Sequence, residues 1–485
     1  MQQRRIVTTG ITLVAAAALT GALLVARAAP QAGSAENVRG GNEEAQEQAL
    51  STQLREDALA EAREAGIAGK TGRIQPLAAA GWSGEQLFDA TGDDWEPAIA
   101  TDPNGSFAYL LVTRYGGPTA CGSRCPSPNL ILERSTDNGQ TWSGGQFICE
   151  CRGVKGQFDP IIEVVPNTGH VHAVWMNDSK VVFSKSTDHG ATWSTPVKTY
   201  GKVQWQDKPI LAMSDDGQHV YVSWNGPSFG DPYVAQSHDA GVTWTQTKIV
   251  DSGRYFFAFD ADVLPNGTVV FSESSISYTG PGSSPEGPVQ QHVLRSTNQG
   301  QTWQNVIVDA VEPGIPCVAD GCSSDFYLGH SAISAAANGA LTLLYDGATT
   351  AGGPQRIWVR RSTDGGATWT ARSGISTAAE HATSPAVEAR GTGDVRAWYM
   401  ETSGVDADSW NVWYRSSTDG GATWTSPTKI SDAPSGADYK DAAGFDEVYG
   451  DYGELAITST GKTIATWGEG FSWTGPGGVW FNRQT

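Results

Sequence analysis

The chain has 485 residues, 58 of them glycine, and 17% are charged, which suffices for one large β domain or two ordinary ones. Its formal net charge of −20 argues against nucleic acid or an anionic membrane surface as a partner.

Residues 1–28 read as an export signal. Arg4 and Arg5 precede an apolar run from Gly10 to Val25, and Ala26-Arg27-Ala28 fits a small-x-small cleavage site. The run, about 16 residues, is short of the roughly 20 that cross a bilayer, so no membrane span is expected after cleavage. The expected location is extracellular.

Residues 29–80 differ in composition from everything after them. Asn42–Ala65 is rich in Glu, Ala, Gln and Leu, with Asn42 as an N-cap and Gly66 as a stop. We expect an acidic helical linker or pro-segment there, without chemistry of its own.

From Trp82 onward, within the domain 81–485, the pattern becomes that of β-structure. An eight-residue box, Ser-x-Asp-x-Gly-x-x-Trp, occurs six times, as in STDHGATW (Ser186–Trp193) and STDGGATW (Ser417–Trp424). Its third position holds Asp137, Asp188, Asp239, Asn298, Asp364 and Asp419, at gaps of 51, 51, 59, 66 and 55 residues. Gaps of this size signal stacked units rather than one site. Each box follows three short apolar strands and precedes a fourth, as in PILAMS, HVYVSW and the strand ending at Ser237. Four antiparallel strands per unit make a propeller blade, and the box becomes the hairpin turn between its third and fourth strands. The short acid accepts local amide hydrogen bonds, the glycine supplies positive φ, and the Trp enters the gap between blades. Asn298 supplies the same bonds, and His189 and His238, at variable positions, are expected to face solvent.

Six boxes accompany seven units. The last three strands, GDYGELAITS, KTIATWGE and GGVWFNRQ, lack a box and a fourth strand, while GWSGEQLFDA is a fourth strand without a blade. Pairing the two closes a seven-bladed ring without exposed edges; six blades with a decorated end is the alternative. A monomer is expected.

Cys121, Cys125, Cys149, Cys151, Cys317 and Cys322 form an even set, which in an exported chain favours disulfides. Cys317 and Cys322 are a local pair. The other four lie in ACGSRC and ICEC, where two bridges would staple one segment to the other; a four-thiolate zinc site is the alternative.

Residues that begin the inner strands converge on the axis. They include Asp94, Trp95 and Glu96; Gln157 and Asp159; Trp205, Gln206, Asp207 and Lys208; Arg254, Tyr255 and Asp260; Asp325, Tyr327 and His330; Glu380 and His381; and Asp451 with Tyr452. Carboxylates dominate. Crowding raises some of their pKa values, which yields a general acid beside an ionised base or nucleophile, with Glu96, Asp159 and Asp207 as candidates. Trp95, Trp205, Tyr255 and Tyr327 offer aromatic walls for sugar rings, with Lys208, Arg254 and Asp451 as polar contacts. A neutral glycan suits such a mouth. The chemistry requires no cofactor; the acids could alternatively hold Ca²⁺ or cap loops.

The Ser-x-Asp-x-Gly-x-x-Trp repeat resembles the Asp-box (BNR) repeat of the sialidase superfamily over roughly residues 82–485. That resemblance implies a propeller acting on glycans, and fixes the fold better than the reaction. Sialidases bind the sugar carboxylate with three arginines, the first in an Arg-Ile-Pro stretch of blade one. Here Trp95-Glu96-Pro97-Ala98-Ile99 stands in that place, and Glu96 would repel a carboxylate. The family's Asp acid/base is also missing, since no Asp lies between Pro103 and Arg134. Its Tyr nucleophile is matched by Tyr452 in Asp451-Tyr452-Gly453-Glu454-Leu455, with Asp446, Glu447 or Glu273 as partner bases. The expectation is a secreted glycoside hydrolase with a degenerate sialic-acid site. A non-catalytic glycan- or protein-binding propeller is one alternative. A polysaccharide lyase using His330, His381, Tyr452 and Arg254 is the other.

Overall fold

The structure is a computed structural model, which describes residues 78–89, 93–227, 230–278, 285–314, 329–377, 381–402, 410–432, 436–437, 452–469 and 478–485. The expectations for residues 1–77, and for Cys317, Cys322, Asp325, Tyr327, Glu380, Asp446, Glu447 and Asp451, lie outside these residues.

The described strands form seven four-stranded antiparallel sheets, so the chain is a seven-bladed, all-β propeller. The inner strands of blades 1 to 7 are Asp93–Thr101, Gln157–Val164, Asp207–Met213, Tyr255–Val263, Ser331–Ala335, Ala382–Arg390 and Glu454–Ile457. Gln86–Leu87 pairs with Gly478–Arg483 and completes blade 7, so the ring closes through the N-terminal strand as the sequence predicts. Trp82 locks this closure. It bridges to Gln484, is buried, and meets Tyr414 of blade 6 edge-on at 5.0 Å.

The box forms the turn after each third strand in blades 1 to 6. In blade 2, Asp188 accepts hydrogen bonds from Ser186 Oγ (2.7 Å), Thr192 N (2.8 Å) and Thr192 Oγ1 (2.6 Å). These bonds, the Thr192 hydroxyl first, hold its carboxyl down at about 2. Asn298 accepts from Ser296 and Thr302 N and donates to the Thr302 hydroxyl, which is why amide replaces acid there. The Trp side chains cross between blades: Trp142 reaches Phe481, Trp244 reaches Phe183 and Trp303 reaches Tyr221. Of the two box histidines, His238 is exposed as expected and meets His219, Nδ1 to Nδ1, at 2.8 Å, whereas His189 is half-buried and stacks on Phe107 at 4.0 Å.

The cysteines also differ from expectation. Cys121 pairs with Cys125 and Cys149 with Cys151, so the ACGSRC and ICEC segments are not cross-linked and the four thiols form no zinc site. A tight 3-10 turn at Gly122–Arg124 and a positive φ at Cys151 bring each local pair within bonding range. The two segments are joined through backbone bonds instead, Gly153 N to Arg124 O and Ser127 N to Lys155 O.

Candidate functional site

Four inner strands carry one local device. Glu96, Asp159, Lys208 and Ser384 each precede a proline and adopt φ of 54°, 49°, 48° and 49°. Proline donates no ladder hydrogen bond, so the pairing skips at each of these places. The bulge re-aims the side chain before the proline, at a strain of about 1–3 kcal/mol for a non-glycine residue. The strands therefore begin a few residues earlier than their Pro-led apolar runs indicate.

The heads of blades 1 to 3 are laced together. Glu96 Oε2 accepts from Thr113 Oγ1 and from Asp159 N, both at 3.1 Å, and Asp159 Oδ2 accepts from Lys208 N at 3.3 Å. Tyr452 leaves blade 7, packs against the cluster containing Phe158 and Ile161, and donates its hydroxyl to Pro160 O at 3.3 Å. Its phenol thus spans the mouth from blade 7 to blade 2. Burial, followed by the charges of Glu96, Asp159 and Glu454, holds its pKa well above 10, with Lys208 opposing. The structure brings together Tyr452, Glu96, Asp159 and Lys208.

Below the mouth lies an axial cavity of about 120 Å³, lined at its head by Phe259, His330, Ser331, Ser384 and Tyr452. His330 Nδ1 lies 3.4 Å from Asp346 Oδ2, which also accepts the Thr383 hydroxyl at 2.6 Å. Deeper, Glu163, Asp260, Glu388 and Glu454 line the same space. Burial raises Asp260 and Glu454 to about 8. Burial, with neighbouring carboxylates, also lifts Glu163 and Glu388 well above the usual carboxylate range. These side chains stay partly accessible because the bore itself admits solvent.

Several predicted residues serve the scaffold instead. Asp94 is buried against Arg114 at 2.6 Å. Asp207 is buried and accepts from Asn225 at 3.2 Å. Gln157 and Gln206 accept the N–H groups of Leu130 and Val181, tying strand to strand. Trp95 lies against Tyr115 at 4.7 Å and Trp205 is buried, so neither is an open aromatic wall. Tyr255 packs on Phe257 at 4.8 Å. Arg254 spends its guanidinium on Ser275, Ser277 and Pro288 of its own blade, which removes it as a uronate clamp. His381 is buried, and its Nδ1 accepts from Gln355 N at 3.3 Å, so burial lowers its pKa and it stands outside the cavity wall. Glu273, on the second strand of blade 4, is buried against blade 3, where it accepts from Ser223 Oγ at 2.7 Å. Among the described residues, no group of three or more His, Cys, Asp or Glu converges as metal ligands.

Sequence reasoning missed Glu163, Glu388, Glu454, Asp346, Ser331 and Ser384. An available signal was the lone acid inside otherwise apolar inner strands, as in PIIEVV and PAVEAR.

The fold and mouth define a closed seven-bladed propeller with a polar, acid-lined axial pocket. The BNR repeat-like domain profile matches residues 110–290. A xyloglucanase from Paenibacillus sp is 27% identical over 327 residues, covering 59% of this chain and 27% of that protein. A sialidase from Micromonospora viridifaciens is 26% identical over 311 residues, covering 56% of this chain and 44% of that protein. The chain spans less than half the length of either relative. A solved ulvan-type polysaccharide lyase overlaps with a TM-score of 0.48 at 11% identity, covering 82% of this chain and 95% of that one. The chain is a seven-bladed β-propeller that carries a BNR repeat-like domain over residues 110–290 and is similar over part of its length to a sialidase.

Among the described residues no helix is long and apolar enough to cross a membrane.

Proposed function

We propose that this propeller is an exported glycoside hydrolase whose reacting groups are Tyr452, Glu96 and His330. The observation that carries the reading is the convergence of Tyr452 with Glu96 and Asp159 above a cavity that His330 also lines. A phenol held well above pKa 10 is no nucleophile by itself, so it needs an adjacent base. Glu96 fills that role, since it heads the charges acting on the phenol. In the first step Tyr452 Oη bonds to the anomeric carbon and its proton passes to Glu96. The glycosidic C–O bond breaks as the leaving oxygen takes a proton from His330 Nε2. In the second step water attacks the anomeric carbon and returns a proton to His330, while Tyr452 regains its own from Glu96. Asp346 and Thr383 orient the imidazole for both transfers. The xyloglucanase and sialidase likenesses support a glycan substrate. Glu96 in the mouth weighs against a sialic-acid carboxylate.

A second reading, a glycan-binding propeller without catalysis, is favoured by the hydrogen bond from Tyr452 to Pro160 O, which keeps the phenol protonated. The test is a mass-spectrometric product screen of the full chain on a mixed oligosaccharide panel that includes sialosides. We expect water-added products from non-sialylated glycans, with turnover reduced at least about 100-fold in Tyr452→Phe and Glu96→Gln, in line with loss of a general acid or base. Binding without any product would sink the hydrolase, sialic acid release would overturn the reading of Glu96, and an unsaturated product would mean a lyase.

A further inference from the structure

We propose that the axial cavity binds a protonated amine, and hence that the glycan this site handles carries a free amino group on the sugar nearest the axis. The inference rests on the glycan reading above and narrows its substrate class. Its basis is the chemistry of the wall. Glu163, Asp260, Glu388 and Glu454 project into one space from blades 2, 4, 6 and 7, and no lysine or arginine is among the described residues lining it. Asp260 and Glu454 each give an oxygen to a neighbouring blade, accepting from Ile333 N at 2.8 Å and Ile99 N at 2.7 Å.

Two further groups stand independently of the carboxylates. Ser331 and Ser384 line the same cavity, are each only 4% exposed, and neither Oγ has a hydrogen-bond partner among the described residues. A buried hydroxyl without a partner is costly to leave unmade, so this pair is poised to receive a ligand. Ser384 is also held at positive φ by the bulge that points residues at this mouth. Once ionised, the carboxylates together with the hydroxyls make a wall dominated by acceptors. An ammonium group is its complement, with three donors and no acceptor. A neutral hydroxyl or an acetamido group brings acceptors of its own and matches less well.

Protonation gives the readout. Other titratable groups facing this space are His330, with Asp346 behind it, and Tyr452 at the head. Asp262 sits one step further along the bore, raised to about 6 by burial, and Arg396 acts on Glu388 from behind the wall. Without a cation, the clustered acids retain protons near neutral pH. A bound ammonium favours their ionised forms, so binding should expel protons.

The experiment is isothermal titration of the full chain at pH 7 with glucosamine oligomers (two to four sugars), their N-acetylated counterparts and cello-oligosaccharides. Each titration is run in two buffers of different ionisation enthalpy. We expect the amine form to bind at least tenfold tighter than both others, with net proton release. In the double variant Glu163→Gln/Glu388→Gln the preference should fall at least fivefold, and Ser384→Ala should weaken the amine form selectively. Circular dichroism of each variant confirms folding. The net charge of −20 attracts amines non-specifically. A preference that survives unchanged in the double variant therefore overturns the inference, as does equal binding of all three series. Turnover of neutral glycans without amine preference would sink the inference and leave the hydrolase standing. Amine-selective binding without turnover would do the reverse.

Discussion

Glu454→Gln tests the electrostatics of the bore. Glu454 Oε2 accepts from Ile99 N at 2.7 Å, and glutamine supplies an oxygen of the same reach. Burial raises the carboxyl from its ordinary 4.5 to about 8. A raised acid stabilises the fold fully below its unfolded pKa, and that contribution is lost as pH rises through the folded value. Between pH 4.5 and 7 the native state must hold a proton that the unfolded chain releases. At about 1.4 kcal/mol per pH unit this costs at most about 3 kcal/mol, and solvent in the bore reduces it to about 1.5. Glutamine carries no such cost. Guanidinium unfolding of both proteins at pH 4.5 and 7 should show the variant gaining about 1.5–3 kcal/mol on the parent across that interval. A gap identical at the two pH values would refute the burial-driven shift, and a parent that gains on the variant would reverse its sign.

Two further outcomes follow from the ring and the blade contacts. Trp82→Ala should lower stability by about 3–4 kcal/mol in the same unfolding assay, because it removes a buried indole that seals blade 7 against Tyr414; a loss below about 1 kcal/mol would mean the ring closes without it. Gly241→Ala places a Cβ into the Phe183 ring at φ +83°, and should cost at least about 2 kcal/mol in denaturation midpoints, whereas an alanine at Gly267, where the space is open, should show only the smaller strain of positive φ.

The propeller was legible because its devices are local. The box needs only Ser, Asp and Thr within seven residues, as Asp188 shows, and such chemistry repeats visibly at each blade. Ring closure was readable from a strand deficit at one end and a surplus at the other. The candidate site was legible only in part. Tyr452, Glu96, Asp159, Lys208 and His330 were named from their positions at the inner-strand heads, and those five reach the mouth or its cavity. Arg254, Asp207 and His381 stood at equivalent places yet turned into their own scaffold, because each found hydrogen-bond partners there.

The sequence by itself determined the propeller architecture and the turn chemistry and favoured seven blades closed through the N-terminal strand, since these depend on contacts between residues close in the chain or on counting strands; the structure decided between seven blades and six. Tertiary structure decided which of the inner-strand side chains share the axis, and added Glu163, Glu388 and Glu454 to Asp260. Glu163, Asp260, Glu388 and Glu454 are up to 291 residues apart, yet they face one bore because every blade brings its innermost strand to the axis. It also decided the cysteine pairing, where a tight turn favoured the near partner over the far one. The alternation of a strand states that a residue faces inward; only the closed ring states what it faces.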